Sequence, residues 1–255
     1  MPYGLHIFGL VHLAILGIVP LTAVLLAVAQ RKLLGKRKGI RVVLAILLFA
    51  STASYYGYFA GQGVKMFPHH VPLELCDVSL WLMIAALLTL RPAVFDVAYY
   101  LALAGASMSL LTPNLVNPTP FIAIQFFANH GLIVASALYL VWSGQARPRP
   151  GSVVRTMLAL NGFAAIAGTF DFLFKTNYMF LRSKPPTVSL LDVLGPWPWY
   201  ILACEAVGCG LVLLLYLPFR QAESNAVTEE IREGNEVQSP TSDKNRSPRR
   251  SPRTC

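Results

Sequence analysis

The residues best suited to chemistry lie in a short polar stretch of an otherwise apolar segment, Pro72-Leu73-Glu74-Leu75-Cys76-Asp77. Carboxyl groups and a thiol are costly in a bilayer and usually face a protein interior, so this stretch predicts a functional site. A deprotonated thiol is a nucleophile or a metal ligand, and a carboxyl group can donate or accept a proton. The residue types leave open which of these chemistries is used.

A second polar group lies further along the chain, within another apolar segment. Gln125 and Asn129 are four residues apart and share a helix face, and His130 follows directly. Both His130 and Glu205 have a structural alternative, in which the side chain makes one buried hydrogen bond and nothing more. The residues predicted to support or orient a reacting group are Glu74, Asp77, Ser79, Gln125, Asn129, Asn161, Asn177, Asp192 and Glu205.

The elements that must position these residues are membrane-spanning helices. Of 255 residues, 55% are hydrophobic and 13% are charged, and the mean hydropathy is +0.55. A bilayer core about 30 Å thick requires roughly 20 apolar residues of helix, and the alternation typical of a β-barrel is missing from the sequence. We therefore predict an all-α, seven-helix transmembrane bundle, with spans at about 6–29, 40–60, 73–90, 93–112, 120–142, 152–174 and 196–217.

The basic residues predict how this bundle is oriented. Of the 21 Lys and Arg residues, 17 fall on one side of the predicted spans, and the other four are Lys65, Lys175, Arg182 and Lys184. Positive charge accumulates on the cytoplasmic side, so the N-terminus is predicted outside and the C-terminus inside. This asymmetry, together with attraction to anionic lipid, accounts for the net charge of +9 without a nucleic-acid partner.

The composition changes abruptly after the last predicted span. Residues 218–255 contain few apolar residues, mixed charge and three Ser-Pro pairs. Such a segment cannot bury enough apolar surface to offset the entropy of ordering it. We therefore predict a seven-helix transmembrane domain at 1–217 and a disordered cytoplasmic tail at 218–255.

Five segments, taken in order, carry a resemblance to a known family. They are Pro72-Leu73-Glu74-Leu75-Cys76-Asp77, Leu111-Thr112-Pro113-Asn114-Leu115, Phe126-Phe127-Ala128-Asn129-His130-Gly131, Asn177-Tyr178-Met179-Phe180-Leu181 with Lys184-Pro185-Pro186, and Ser189-Leu190-Leu191-Asp192 followed by Gly195-Pro196-Trp197-Pro198-Trp199-Tyr200. In this series the chain resembles the YwaF-type integral membrane proteins, which are similar to the transmembrane protein 164 acyltransferases. The resemblance covers about residues 6–217 and leaves out the tail.

The resemblance implies an acyltransferase that moves an acyl chain from a glycerophospholipid donor to a lysophospholipid. It implies that Cys76 is the nucleophile, forming a thioester, and that His130 is the motif histidine, acting as the base. Its partners would be phospholipid, lysophospholipid and membrane lipid, and no cofactor is expected. We expect the Cys76 sulfur within about 4 Å of a His130 nitrogen, in a cavity open to lipid.

Other functions compete with this one. A transporter or a receptor-like binding protein for lipid or small molecules would also need a polar chamber among helices. Water in place of the lysolipid would make the protein a lipid hydrolase, and a membrane metalloenzyme could draw its ligands from His69, His70, Glu74, His130 and Asp171. The expected location is the cell membrane, or an endomembrane in a eukaryotic host.

Overall fold

The computed structural model describes residues 8–32, 37–115, 118–185 and 190–237, and no strand occurs in these ranges. Six helical segments are long and apolar enough to cross a membrane, and a seventh, apolar helix is shorter. The predicted all-α membrane bundle is therefore confirmed. The α-helices are α1 Leu10–Lys32, α2 Arg37–Gly61, α3 Leu75–Thr89, α4 Pro92–Tyr100, α5 Ser107–Leu111, α6 Pro120–Trp142, α7 Ser152–Phe174 and α8 Trp199–Val237.

The fourth membrane segment is interrupted in its middle. Between α4 and α5, Leu101–Ala106 forms a π-helix, so Pro92–Leu111 is a single apolar span with one widened turn. Such turns are rare and are frequent at functional sites. Two short 3₁₀ helices, Tyr178–Phe180 and Leu190–Asp192, lie between α7 and α8.

Helix ends follow from local sequence. Pro120 occupies the first turn of α6, where its missing N–H costs nothing, and the Thr119 hydroxyl accepts the Ile122 N–H at 3.3 Å. Helix α3 ends at Leu90, which adopts the left-handed conformation (φ 52°) just before the Arg91-Pro92 pair. Proline disfavours helical conformation in the residue before it, so the chain must turn there.

Helix α6 lies at the centre of the packing and contacts α1, α2, α3 and the π-helix. Gly131 allows the close approach of α1, because a Cβ at this position would lie 3.1 Å from Val19 Cγ2. The core contains fully buried Met83, Leu87 and Ile133. Outward-facing apolar residues such as Phe172 are exposed, as expected of a surface that lipid covers.

A buried carboxylate ties α4 to the start of α7. Asp96 is 0% exposed, and its Oδ2 accepts hydrogen bonds from Arg149 Nη2 at 2.9 Å and Arg155 Nη2 at 2.8 Å. Its Oδ1 accepts the Arg149 backbone N–H at 3.0 Å. A neighbouring hydrogen bond of 2.9 Å joins the Tyr100 hydroxyl to Ser152. Buried charges are stable only when paired in this way, so the cluster has a structural role.

Asp96→Ala should lower the free energy of unfolding by about 3 kcal/mol, because both guanidinium groups lose their acceptor. This value is at the low end of the range because the arginine side chains are partly exposed, at 43% and 40%. Thermal unfolding in detergent would measure the change. Arg91→Ala, at an exposed position beside the same helix, is the control, and equal melting temperatures for the two variants would contradict this role of Asp96.

The chain divides into two compact units, Met1–Tyr216 and Leu217–Cys255. Helix α8 is assigned to Val237, so this assignment runs into the segment for which disorder was predicted, and the disordered tail stays a prediction. This stretch is rich in Ala, Glu and Arg, which favour helix even without apolar burial. Residues 238–255 lie outside the described part of the chain.

Candidate active site

A cavity of about 400 Å³ lies on the side of the bundle bounded by α8. Its walls come from the start of α3, the α4–π–α5 segment, α7, the Tyr178–Phe180 turn and α8. Most of the lining is apolar, and the polar groups are few. They are Glu74, Cys76, Tyr100, Ser109, Thr156, Asn161, Tyr200, Cys204 and Glu205.

Helices α7 and α8 each present one long face to this cavity. The α8 residues that line it are spaced at helical intervals over three turns, from Tyr200 to Val212. The twelve residue-to-residue steps of 1.5 Å from Tyr200 to Val212 give this wall a length of about 18 Å. The α7 face is shorter and runs from Thr156 to Ala164, about 12 Å along the helix axis. The cavity is therefore elongated along the helix axes, a shape that suits an extended hydrocarbon chain.

Cys76 lies in the first turn of α3, is half-buried, and lines the cavity. The helix begins there because Glu74 is its N-cap, and the Asp77 carboxylate accepts the Glu74 backbone N–H at 3.2 Å. An acidic residue in the first turn is also stabilised by the helix dipole. The predicted polar stretch is thus a helix cap that holds the thiol at the cavity wall.

The Met179–Phe180 turn, which contacts this cap, is under local strain. Met179 and Phe180 both have positive φ, at 53° and 56°, a conformation that is uncommon for bulky residues. Two hydrogen bonds hold them: Glu74 Oε2 accepts the Met179 N–H at 3.1 Å, and the Tyr200 hydroxyl donates to the Phe180 carbonyl. Backbone strain of this kind occurs at ligand sites.

Tyr178 connects this turn to the chain before α3. Its hydroxyl donates to Pro68 O at 2.7 Å and accepts the Val71 N–H at 2.9 Å, while its own N–H donates to Asp171 Oδ1 at 2.9 Å. Burial raises the pKa of Tyr178, so the phenol stays protonated and keeps donating. Hydrogen bonds through Tyr178 therefore cross-link this end of the cavity, a rim formed by Pro68–Val71, Asp171 and the Tyr178–Phe180 turn.

Tyr178→Phe should destabilise this rim by about 1–3 kcal/mol, because the Val71 N–H loses its acceptor and Pro68 O its donor. Hydrogen exchange of the Val71 amide should accelerate about 10-fold or more, since 1.4 kcal/mol is a factor of ten. Tyr58→Phe removes only a 3.4 Å hydrogen bond to Thr119 and is the control. Unchanged Val71 exchange in the Tyr178 variant would show that the hydroxyl does not hold the rim.

His130 is 5% exposed, in the middle of α6. Its Nδ1 lies 2.8 Å from the Phe126 carbonyl, and the ring packs on Phe126 with centroids 4.2 Å apart. A carbonyl can only accept, so Nδ1 carries the proton and Nε2 has the free lone pair of a base. Within the described residues, however, His130 is not part of the cavity lining and makes no hydrogen bond to Cys76.

Three other candidates lie in the packing between α2, α3 and α6. Ser79 Oγ and Asn129 Oδ1 are buried without a hydrogen-bond partner among the described residues, and Gln125 Nε2 donates to Ser51 O at 3.4 Å. Unpaired buried polar atoms are uncommon and call for an explanation. Their predicted supporting roles stay predictions.

Two candidates in the connection between α7 and α8 have local partners. Asn177 Oδ1 accepts the backbone N–H groups of Arg182 and Ser183, each at 3.0 Å, so Asn177 organises its own loop. Asp192 is exposed and lies 4.0 Å from Lys184 Nζ. In neither case does the side chain line the cavity.

Asn161 and Glu205 meet across the cavity, from α7 and α8. Asn161 Nδ2 donates to Glu205 Oε1 at 2.6 Å and to the Met157 carbonyl at 3.0 Å. Of the predicted site residues, the structure therefore brings Glu74, Cys76, Asn161 and Glu205 to one cavity. Asp77 sits directly behind Cys76 in the same cap.

Sequence reasoning missed several residues around this site. Asp96 did give a signal, as the only acidic residue within the predicted span 93–112. Tyr178 showed no such signal, apart from its place in one of the five segments that carry the family resemblance.

The fold and this site define a multi-pass helical membrane protein with a largely apolar cavity that carries a thiol. Residues 5–216 match the TMEM164 family, and the chain belongs to that family. An uncharacterized protein of Treponema pallidum (strain Nichols) is 27% identical over 220 residues, which cover 85% of this chain and 90% of that protein. No solved structure matches the chain.

Proposed function

We propose that this chain is a membrane phospholipid acyltransferase that moves an acyl chain from a glycerophospholipid to a lysophospholipid through a thioester on Cys76. The observation that carries the proposal is the position of the thiol, on the wall of an elongated, largely apolar cavity of about 400 Å³. This volume lies within the usual range of ligand sites. Membership of the TMEM164 family is the second support.

The chemistry consists of two matched half-reactions. The Cys76 thiolate attacks the ester carbonyl of the donor, a C–S bond forms, the ester C–O bond breaks, and the departing lysolipid takes a proton. The hydroxyl of the acceptor then attacks the thioester, a C–O bond forms, the C–S bond breaks, and the thiol is restored. Bonds and protons balance over the cycle, so the proposed reaction needs no cofactor.

His130 is the proposed base of both steps. Its hydrogen bond to Phe126 fixes the tautomer in which Nε2 can accept a proton. Catalytic hydrogen bonds are often long or unformed without substrate and tighten in the reacting complex. The proposal therefore requires Nε2 to approach Cys76 when the donor is bound.

The choice between transfer and hydrolysis depends on keeping water from the thioester. Apolar walls on α7 and α8 favour lipid over water as the occupant of the cavity. Among the proposed oxyanion donors, Gln125 already donates to Ser51, whereas the Ser79 hydroxyl has no partner among the described residues. Ser79 also lies three residues after Cys76, on a neighbouring helix position.

The proposal is tested with purified protein, phosphatidylcholine labelled in one acyl chain, and an unlabelled lysophospholipid. Appearance of the label in the former lysolipid is the expected result. Label released only as free fatty acid would make the protein a hydrolase. Phospholipid that binds without reacting would favour the transporter or binding-protein alternative.

A further inference from the structure

The Asn161–Glu205 pair lies on the part of the cavity wall formed by α7 and α8, where Asn161 is exposed and Glu205 is half-buried, and the proposal that follows rests on the proposed function. The two side chains come from facing helices and meet at 2.6 Å. Glu205 lies five residues beyond Tyr200, which is about 7.5 Å deeper along α8 at 1.5 Å per residue. Beyond it the α8 wall continues with Gly208, Leu211 and Val212, which carry no polar side chain.

The hydrogen bonds of the pair determine what it can still bind. Both amide hydrogens of Asn161 are used, on Glu205 Oε1 and on the Met157 carbonyl. The contact with a carbonyl, which cannot donate, fixes which end of the amide is nitrogen. Asn161 Oδ1 and Glu205 Oε2 have no hydrogen-bond partner among the described residues. The pair thus offers acceptors, and its amide is not available as an oxyanion donor.

A group with a polar hydrogen fits these acceptors. No Lys, Arg or His belongs to the described lining of the cavity, so a phosphate would find no counter-charge inside it. Positive charge is found at the end of the cavity near Tyr200 instead, where Lys184 Nζ lies 5.6 Å from the centre of the Tyr200 ring. A lysophospholipid with its phosphate at this end would bring its glycerol hydroxyl, rather than its head group, towards the pair.

We infer that Asn161 and Glu205 form the binding site for the free hydroxyl of the lysophospholipid acceptor. The hydroxyl donates to the carboxylate, and the acyl chain lies along the apolar residues further down α8. Because Cys76 lines the same cavity, this contact orients the hydroxyl for attack on the thioester. The pair is a positioning and specificity-determining element, separate from the groups that form the thioester.

Lysolipid binding is measured first in the Cys76→Ser background, where no transfer occurs. The probes are lysophosphatidylcholine and its analogue without the free hydroxyl, with affinities measured by native mass spectrometry in detergent. Loss of a hydrogen bond to a charged acceptor costs roughly 10- to 100-fold in affinity, so the analogue should bind that much more weakly. Adding Glu205→Gln should abolish most of this difference.

Asn161→Ala provides a second variant if the glutamine variant does not fold, and it should reduce the same discrimination. Glu230→Gln is the control: it removes the same charge in the second unit and should leave the discrimination between the two probes intact. The inference would be overturned if both probes bound equally to the protein with Asn161 and Glu205 intact. It would also be overturned if Glu205→Gln and Asn161→Ala both left the discrimination unchanged. A third probe, lysophosphatidylethanolamine, tests recognition of the head group. If Glu205→Gln weakened binding of this lipid and left binding of lysophosphatidylcholine unchanged, the inference would also be overturned, because the amine would then be the group recognised.

Activity gives an independent result. With Cys76 present, Glu205→Gln should raise KM for the lysolipid by about 10- to 100-fold. Formation of the thioester from the donor alone should still be detected, because the donor enters as an ester and brings no free hydroxyl to this contact. Failure of the proposed function would appear as a missing thioester in the unaltered protein, whereas failure of this inference would leave the thioester and an unchanged KM.

Discussion

Cys76→Ser is expected to reduce acyl transfer at least about 1,000-fold, because a hydroxyl is a far weaker nucleophile than a thiolate and the thioester cannot form. The rate is measured with labelled phosphatidylcholine and a lysolipid, under conditions in which the unaltered protein transfers the label. Serine is nearly the same size as cysteine, so helix α3 and its cap should remain folded.

Cys209→Ser is the matched control for this prediction. Cys209 is a half-buried thiol on α8 that does not belong to the described lining of the cavity. It should keep activity within about two-fold of the unaltered protein. A Cys76→Ser protein with full activity would remove Cys76 from the mechanism, even if the family assignment stands.

His130→Ala is expected to slow transfer by about 100- to 10,000-fold, the usual contribution of a general base. Both half-reactions should slow, because the same imidazole accepts the proton of the thiol and that of the acceptor hydroxyl. Rapid-quench measurements of thioester formation and of its discharge by lysolipid separate the two steps.

His69→Ala removes an exposed histidine that the proposal does not use, and it should be active. A purely structural His130 would give a different result, in which the alanine variant unfolds at lower temperature while the folded fraction reacts at the normal rate. That outcome would assign the hydrogen bond to Phe126 a packing role and require another base near Cys76.

The helices could be predicted from sequence because lipid imposes length and apolarity on each one separately. Predicted spans 120–142 and 152–174 coincide with Pro120–Trp142 and Ser152–Phe174, where proline and glycine mark the starts. Span 73–90 is shortened to Leu75–Thr89 because Glu74 serves as a cap instead of a helical residue. The π-helical turn at Leu101–Ala106 leaves no periodic signal in the sequence, so its position could not be predicted.

The site was harder to predict because its contacts join distant parts of the chain. Apolar context singled out Cys76, and the mid-helix polar residues Asn161 and Glu205 were found by the same reasoning. Helical spacing could not show that these two side chains meet, nor that His130 turns its Nδ1 to its own helix. Those facts depend on helix rotation, which packing between helices determines.

The central claim is that Cys76 carries the acyl group, and trapping that intermediate tests it most directly. Purified protein is incubated with acyl-labelled phosphatidylcholine without acceptor, quenched in acid, and digested for mass spectrometry. The account predicts an acyl group on the peptide containing Cys76, released by neutral hydroxylamine and discharged by added lysophospholipid. Transfer to lysophospholipid that proceeds without any label on Cys76 would contradict it.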